Sequence, residues 1–328
     1  MSLKNYGVLK GSAIARRLGS GPSPHYQVRL VDQDADHRIA INVSSKLPPS
    51  DLEYLVDEDF RHPSTEALKA LPLGFTPLPG GGSGRALDYI RGNVFDRSLM
   101  KALAPDVPGP DNDLNEKLDH FFQRAMADEH ATVYAFGETW GPESAKDKYF
   151  GFSPGRGIHD IHMNQGNHPS FADQDGVWQD GGVLLHFAQP EQWVGIFLKF
   201  QSQVWHTDDR TGHALVTPVP EQHDGLVRII AALVNDTHAP ERETVTLLNT
   251  SPTPVSLAGW VLADRKKHQQ TLSGELAPGA TRVLRVQKPV ELTNQGGSIS
   301  LLDAQGLKVD GVSYVKEQVR RPGWTLVF

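Results

Sequence analysis

The chain contains no cysteine. Disulfides, thiol catalysis and thiolate metal sites are therefore excluded. Long apolar runs are also missing. None reaches the roughly 18 residues that a membrane-spanning helix needs, so no integral membrane segment is expected. Met1-Ser2-Leu3-Lys4-Asn5-Tyr6 is not followed by an apolar stretch with a cleavage site, so no Sec signal is expected. Positive charge is in deficit, with 32 Lys+Arg against 39 Asp+Glu and a net charge of -7. The deficit is uneven. Residues 226–328 hold 12 Lys+Arg and 9 Asp+Glu, a net of +3, which leaves 20 and 30, a net of -10, for the first 225. An acidic first part argues against a broad basic nucleic-acid surface. It leaves room for a nuclease, whose metal-binding carboxylates carry negative charge that the metal neutralises.

What is present begins with length. A chain of 328 residues suggests two domains. Strands are expected at 6–14, 26–31 and 38–43, where Tyr26-Gln27-Val28-Arg29-Leu30-Val31 alternates with period two. Residues 48–51 open a short irregular region. Ser64 can cap a helix over 65–71. Leu114, Leu118, Phe121, Phe122, Ala125 and Met126 fall at helical spacing and predict an amphipathic helix near 113–128. Residues 132–136 read as a buried strand ending at Gly137-Glu138, and 149–152 as a short strand. Residues 183–187 read as another strand, and Trp193 to Phe200 as a central one. The region 1–217 is expected to be α+β, mainly antiparallel. Residues 218–225 read as a linker. From 226 to 328, strands recur about every ten residues, at 226–234, 243–248, 255–262, 280–286, 298–302, 311–315 and 324–328. Pro, Gly, Asn and Asp stand between them, the pattern of a β-sandwich.

Chemistry concentrates in Gly157-Ile158-His159-Asp160-Ile161-His162-Met163-Asn164-Gln165-Gly166-Asn167-His168. Six of these residues are His, Asp or Asn. Imidazole exchanges a proton near neutral pH or ligates a metal through one nitrogen. A neighbouring carboxylate or carboxamide fixes its tautomer. A polar loop held by its own Asx turns would have the same composition. His186, His206 and His213 follow, with Asp208 and Asp209 between the last two; six of the 14 histidines lie in 159–213. Glu138 stands at the expected end of a core strand, a common site position. His25 enters the second strand and reads as a site residue or a rim histidine. Asp88 and Arg91 suit an ion pair on one side of a helical turn or a site role.

Two resemblances add to this. Glu243-Thr244-Val245-Thr246-Leu247-Leu248-Asn249, Gly259-Trp260-Val261-Leu262, Leu276-Ala277-Pro278-Gly279 and Asn294-Gln295-Gly296-Gly297-Ser298-Ile299-Ser300-Leu301 resemble the lamin-tail domain. That resemblance covers about 235–328 and implies an immunoglobulin-like sandwich. In bacteria such domains are often appended to secreted or envelope-associated hydrolases, nucleases among them. Pro24-His25-Tyr26, Leu87-Asp88-Tyr89-Ile90-Arg91, Tyr134-Ala135-Phe136-Gly137-Glu138, Gly157 to Asn167 and Phe200-Gln201-Ser202-Gln203 resemble the YukJ family, over about 1–217. That resemblance implies a bacterial domain of unknown function and transfers no activity.

Two functions are compatible with these residues. The first is a metal-dependent hydrolase acting on nucleic acid or another phosphodiester. His159 and His162 would bind Zn, Mn or Mg, with Asp160 or Asp208 as carboxylate ligand. Asn164 and Asn167 would orient substrate, with His25 and Glu138 beside them, and Arg91 or His206 would meet the developing charge. A metal-free variant would use His159 and His162 as acid and base. The second is a non-enzymatic binding or adaptor protein, such as secretion-system cargo or effector, whose sandwich docks a protein partner. The expected location is the bacterial cytoplasm, or outside it by a signal-peptide-independent route. Glycan or peptide hydrolysis is a weaker third reading, since no carboxylate pair stands in a defined frame.

Overall fold

The computed structural model describes residues 5–19, 25–43, 52–78, 93–96, 99–102, 114–159, 181–200, 225–240 and 242–328. The chain forms two compact units. The first contains β1 (Tyr6–Arg17), β2 (His25–Val31), β3 (Asp36–Asn42), β4 (Leu52–Asp57), α1 (Ser64–Lys69), β5 (Gly74–Pro77), β6 (Lys101–Ala102), α2 (Leu114–Ala127), β7 (Thr132–Glu143), β8 (Gly155–His159), β9 (Gly182–Phe187) and β10 (Gln192–Phe200).

Five of these strands close on themselves. The ladder runs β1-β2-β3-β8-β7 and returns from β7 to β1. Closure depends on β1 serving two walls. Its first half, Tyr6 to Gly11, pairs with β7, and its second half, Ser12 to Arg17, pairs with β2. The change occurs beside Gly11 and an irregularity between Ala13 and Ala15. A Cβ at Gly11 would meet the Val31 carbonyl and the Leu30 side chain. Bulges and glycines at barrel corners produce this kind of bend. The pair β3–β8 is parallel, and every other ladder among the described residues of the unit is antiparallel. Numbered within the barrel, the order is 1-2-3-5-4-1, with strands 3 and 5 parallel and helix α2 lying between strands 3 and 4 in the chain. This is the connectivity of the OB-type Greek-key barrel. Beyond β7 the sheet continues through β9, β10, β4 and β6, while β5 adds to β1.

Alternation decides which side chains fill the barrel. Tyr26, Val28 and Leu30 of β2, Ile39 and Ile41 of β3, Val133 and Ala135 of β7 and Ile158 of β8 share one buried cluster. The apolar stripe of α2 (Leu114, Leu118, Phe121, Phe122 and Ala125) packs into the same cluster, and Phe122 stacks on Tyr26 at 5.6 Å. Asp119 on α2 pairs with Arg16 and accepts from the Tyr26 hydroxyl at 3.0 Å.

The sequence expectation of an α+β domain is corrected to a β-barrel with a sheet extension. α-Helix in this unit is confined, among the described residues, to α1 and α2. Strands β4, β5 and β6 occupy stretches that alternation alone had not marked. Residues 149–152 form no strand: 148–150 turn, because Asp147 accepts from the N–H groups of Tyr149 and Phe150, at 3.0 and 2.8 Å. Strand β7 does not end at Glu138 but continues to Glu143.

The second unit gathers Arg61–Pro63, Asp88–Asp96 and Trp205–Phe328. Its strands are β11 (Val227–Leu233), β12 (Thr244–Asn249), β13 (Val255–Ser256), β14 (Val261–Asp264), β15 (Gln269–Thr271), β16 (Glu275–Leu276), β17 (Thr281–Arg285), β18 (Gly297–Leu302), β19 (Lys308–Tyr314) and β20 (Leu326–Val327). One sheet runs β17-β12-β11-β20 and another β15-β14-β18-β19, with β13–β16 as a short separate pair. Val227, Ile229, Val245, Leu247, Leu262, Ile299, Leu301 and Trp260 form the core of this sandwich. No helix among the described residues is long and apolar enough to cross a membrane, a finding that says nothing of membrane-spanning strands.

Candidate functional site

The barrel's outer wall carries what its core rejects. With Tyr26, Val28, Ile39, Ile41 and Ile158 turned inward, the intervening residues face out: His25, Gln27 and Arg29 on β2, Arg38, Ala40 and Asn42 on β3, Gly157 and His159 on β8. On β7, Glu138 and Trp140 lie opposite His159 and Gly157. His25 lies opposite Asn42, and Ala40 pairs with both Gln27 and His159.

This register brings two distant histidines together. His25 and His159 stand on strands separated by β3, about 10 Å of sheet at ordinary strand spacing. Their rings nevertheless meet, with centroids 4.8 Å apart and planes tilted by 58°. On β3 the two positions at this level are Asn42, opposite His25, and Ala40, beside His159, and the small Ala40 methyl leaves space toward which the His159 ring can lean. Glu138 sits directly across from His159 on β7. Opposed residues of an antiparallel pair have Cβ atoms roughly 4.5–5.5 Å apart, so its carboxylate shares this face. A leucine at position 40 is expected to fill the gap and separate the rings, at an overpacking cost of about 1–3 kcal/mol. The check is the nuclear Overhauser contact between the two imidazoles. Its persistence in Ala40→Leu would show that Ala40 does not create the pairing.

Beside the histidines lies a buried ionic network. Arg38 Nε donates to Asp147 Oδ2 at 2.6 Å, and another of its nitrogens donates to Gln27 Oε1 at 2.7 Å. The guanidinium lies over the rings of Trp140 and Tyr149, at 4.6 and 4.8 Å. The Asp147 side chain is only 2% exposed. Burial alone would raise its pKa. The Arg38 guanidinium and the N–H groups of Phe150 and Tyr149 outweigh that and hold it below the ordinary carboxylate value. Trp140 in turn covers Gly157, where a Cβ would run into its ring and the Arg38 carbonyl.

Of the residues singled out from sequence, the structure thus brings His25, His159 and Glu138 onto one face. Asp160, His162, Asn164, Asn167, His206, Asp208 and Arg91 lie outside the described residues, as do His168, Asp209, His213 and Asp88. His186 is not part of the cluster. It stacks on Trp193 at 4.5 Å and its Nε2 is 3.2 Å from Glu191. Among the described residues, no group of three or more His, Asp or Glu side chains could hold a metal ion. Sequence reasoning missed Gln27, Arg38, Ala40, Asn42, Trp140 and Asp147. Alternation along β2 and β3 already assigned the first four to the face away from the core. No sequence spacing, however, joined Asp147 to Arg38.

The architecture defines the class: an OB-type β-barrel with a polar, histidine-bearing wall, in one chain with a lamin-tail sandwich. The family model for the uncharacterized conserved protein DUF2278 matches residues 1–212, and the Lamin Tail Domain model matches 224–316. The chain belongs to the DUF2278 family. It is 43% identical over 213 residues to a Bacillus subtilis (strain 168) protein described as uncharacterized protein YukJ, covering 64% of this chain and 93% of that protein.

Proposed function

We propose that this protein is a metal-dependent hydrolase of phosphodiesters, a nuclease or phosphodiesterase, whose site is the outer wall around His25 and His159. The observation that carries this reading is the contact of the two imidazoles at 4.8 Å beside Glu138. Two imidazoles on one Zn, each at about 2.0–2.1 Å in tetrahedral geometry, hold their ligating nitrogens roughly 3.3 Å apart. Rings in contact suit that arrangement better than the wider gap needed to hold a phosphate between a separate acid and base. His25 therefore moves from substrate contact to ligand in this reading. Further ligands would come from Asp160, His162 or Asp208. A bound Zn, Mn or Mg would supply an acidified water and polarise a phosphoryl oxygen. The OB-type barrel supports the substrate class, because its second and third strands are a recurrent platform for oligonucleotides and oligosaccharides, although fold alone never fixes function.

A second reading, a binding or adaptor protein without catalysis, is favoured by one feature. The buried cation of this wall, Arg38, is already neutralised by Asp147 and so is not free to meet a developing charge. The test uses protein purified without a His-tag or nickel, with His25→Ala and His159→Ala alongside. The expected outcome is stoichiometric metal in the wild type, lost in both variants. Hydrolysis of a generic phosphodiester and of single-stranded oligonucleotides should fall at least roughly 100-fold, the scale of one positioned catalytic group. Absence of metal after incubation with Zn, Mn and Mg, with no hydrolysis, overturns the hydrolase reading. Retained oligonucleotide binding would then support the second.

A further inference from the structure

The lamin-tail strands do not make up the second compact unit alone. Asp88–Asp96 belongs to it as well, although these residues fall within the DUF2278 match at 1–212. The described part of this segment is Asn93-Val94-Phe95-Asp96. Asn93 is 2% exposed and adopts a left-handed backbone, with φ of 49°. Its Nδ2 donates to the Ile299 carbonyl at 3.0 Å, to Ser300 Oγ at 3.2 Å and to the Val312 carbonyl at 3.3 Å. Ile299 and Val312 are opposite partners on β18 and β19, so one carboxamide bridges two strands. Ser300 alternates with the core residues Ile299 and Leu301, and lies on the sheet face away from the sandwich core. That face is ordinarily wet, yet Ser300 is 3% exposed. Opposite Ser300 stands Gly311, where a Cβ would collide with Asn93 Oδ1. Val94 is buried beside Asn93. Three residues on from Asn93, Asp96 Oδ2 accepts from Arg228 at 2.6 Å, and Arg228 Nε lies 3.3 Å from Asp310 Oδ1.

A carboxamide cradle over a glycine, with an arginine set to receive a carboxylate three residues later, has the polar and charged groups that recognise a short peptide turn. We propose that the outer face of the lamin-tail β18–β19 pair, with Arg228, is a peptide-binding site specific for an asparagine followed three residues later by an aspartate. In this chain, Asn93-Val94-Phe95-Asp96 occupies it in cis. The proposal uses none of the histidine-bearing wall and stands or falls separately from the hydrolase reading. It gives the sandwich a ligand of defined chemistry: a short segment with a left-handed asparagine, an apolar residue after it and a carboxylate at the fourth position.

The test keeps the full-length chain. Asn93→Ala/Asp96→Ala removes the groups that hold the segment and leaves the face intact. Wild type and variant are titrated with a fluorescent synthetic peptide of residues 91–98. The expected result is saturable binding to the variant, at least tenfold weaker binding to wild type, and loss of binding when Gly311→Val is added to the variant. Binding equally to both proteins, or to neither while the sandwich still unfolds cooperatively, overturns the proposal. Should the double variant lose cooperative unfolding, the milder cycle of Asp96→Ala and Arg228→Ala decides. Non-additive shifts in unfolding midpoint are expected, and strictly additive shifts overturn the proposal.

Discussion

Replacing Asp147 with alanine is expected to destabilise the barrel by about 3–5 kcal/mol, the scale for removing one partner of a buried ion pair. The Arg38 guanidinium would remain between Trp140 and Tyr149, 11% exposed as a side chain, with Gln27 as its hydrogen-bond acceptor and no other carboxylate paired with it among the described residues. The same carboxylate holds the turn that follows it, through the N–H groups of Tyr149 and Phe150. Asparagine at 147 would keep some of those turn bonds and lose the charge, so its cost should fall below that of alanine. The effect depends on pH, and its sign follows from the lowered pKa of Asp147 in the folded protein. A lowered folded value means stabilisation that is complete above the unfolded value, about 3.9. It is lost as pH falls from there through the folded value. Urea midpoints of wild type and Asp147→Asn should therefore differ most above pH ~4 and converge below it. A gap that stays constant through the acid range would mean that the ion pair is not its source.

Gly157→Ala is the second large effect. Most glycine-to-alanine changes in strands are mild, but here the new methyl would meet the Arg38 carbonyl on β3 and the Trp140 ring on β7. Both neighbours are members of the closed ladder, so neither yields without opening a wall. A cost at or beyond the about 1–3 kcal/mol of overpacking is expected. Displacement of β8 should also separate His159 from His25. Gly151 is the built-in control. It has a positive φ of 73° but no atoms within reach of an added Cβ, so alanine there should cost about 1–2 kcal/mol from backbone conformation alone. Thermal unfolding of the two variants compares clash with conformation. If Gly157→Ala proves no more harmful than Gly151→Ala, the close approach of β3 and β8 is not rigid.

How much of this was legible in the sequence depends on the range of the interaction concerned. Period-two alternation in Tyr26-Gln27-Val28-Arg29-Leu30 marks β2 and its inward residues, and 3.6-residue spacing marks α2, because both patterns are local. The recurrent turns after 226 mark a sandwich for the same reason. Barrel closure is not local. It rests on Ile39 lying beside Ile158 in parallel register, and nothing in either segment names the other. The same holds for the site. His159 stood out for its neighbours in sequence, whereas His25 reads equally as a site or a rim histidine until strand order brings it against His159. Asp147 reads as one acid among 39 Asp+Glu until Arg38 is seen at 2.6 Å. Leu52-Glu53-Tyr54-Leu55-Val56-Asp57 breaks strict alternation at Tyr54-Leu55-Val56, so alternation does not mark it as a strand. Its pairing with β10 comes from a partner about 140 residues away.

The parallel closure also sets an order of events during synthesis. Residue 39 leaves the ribosome 119 positions ahead of residue 158, a lag of roughly 6–24 s at about 5–20 residues per second. The β2–β3 hairpin can form at once, since its strands are adjacent. Through that lag the free edge of β3, lined by Arg38, Ile39 and Ala40, has no native neighbour, and an open strand edge invites pairing with other chains. The nascent barrel thus passes through a stage at which its later histidine-bearing wall is a sticky rim, and the emergence of Gly157-Ile158-His159 ends it.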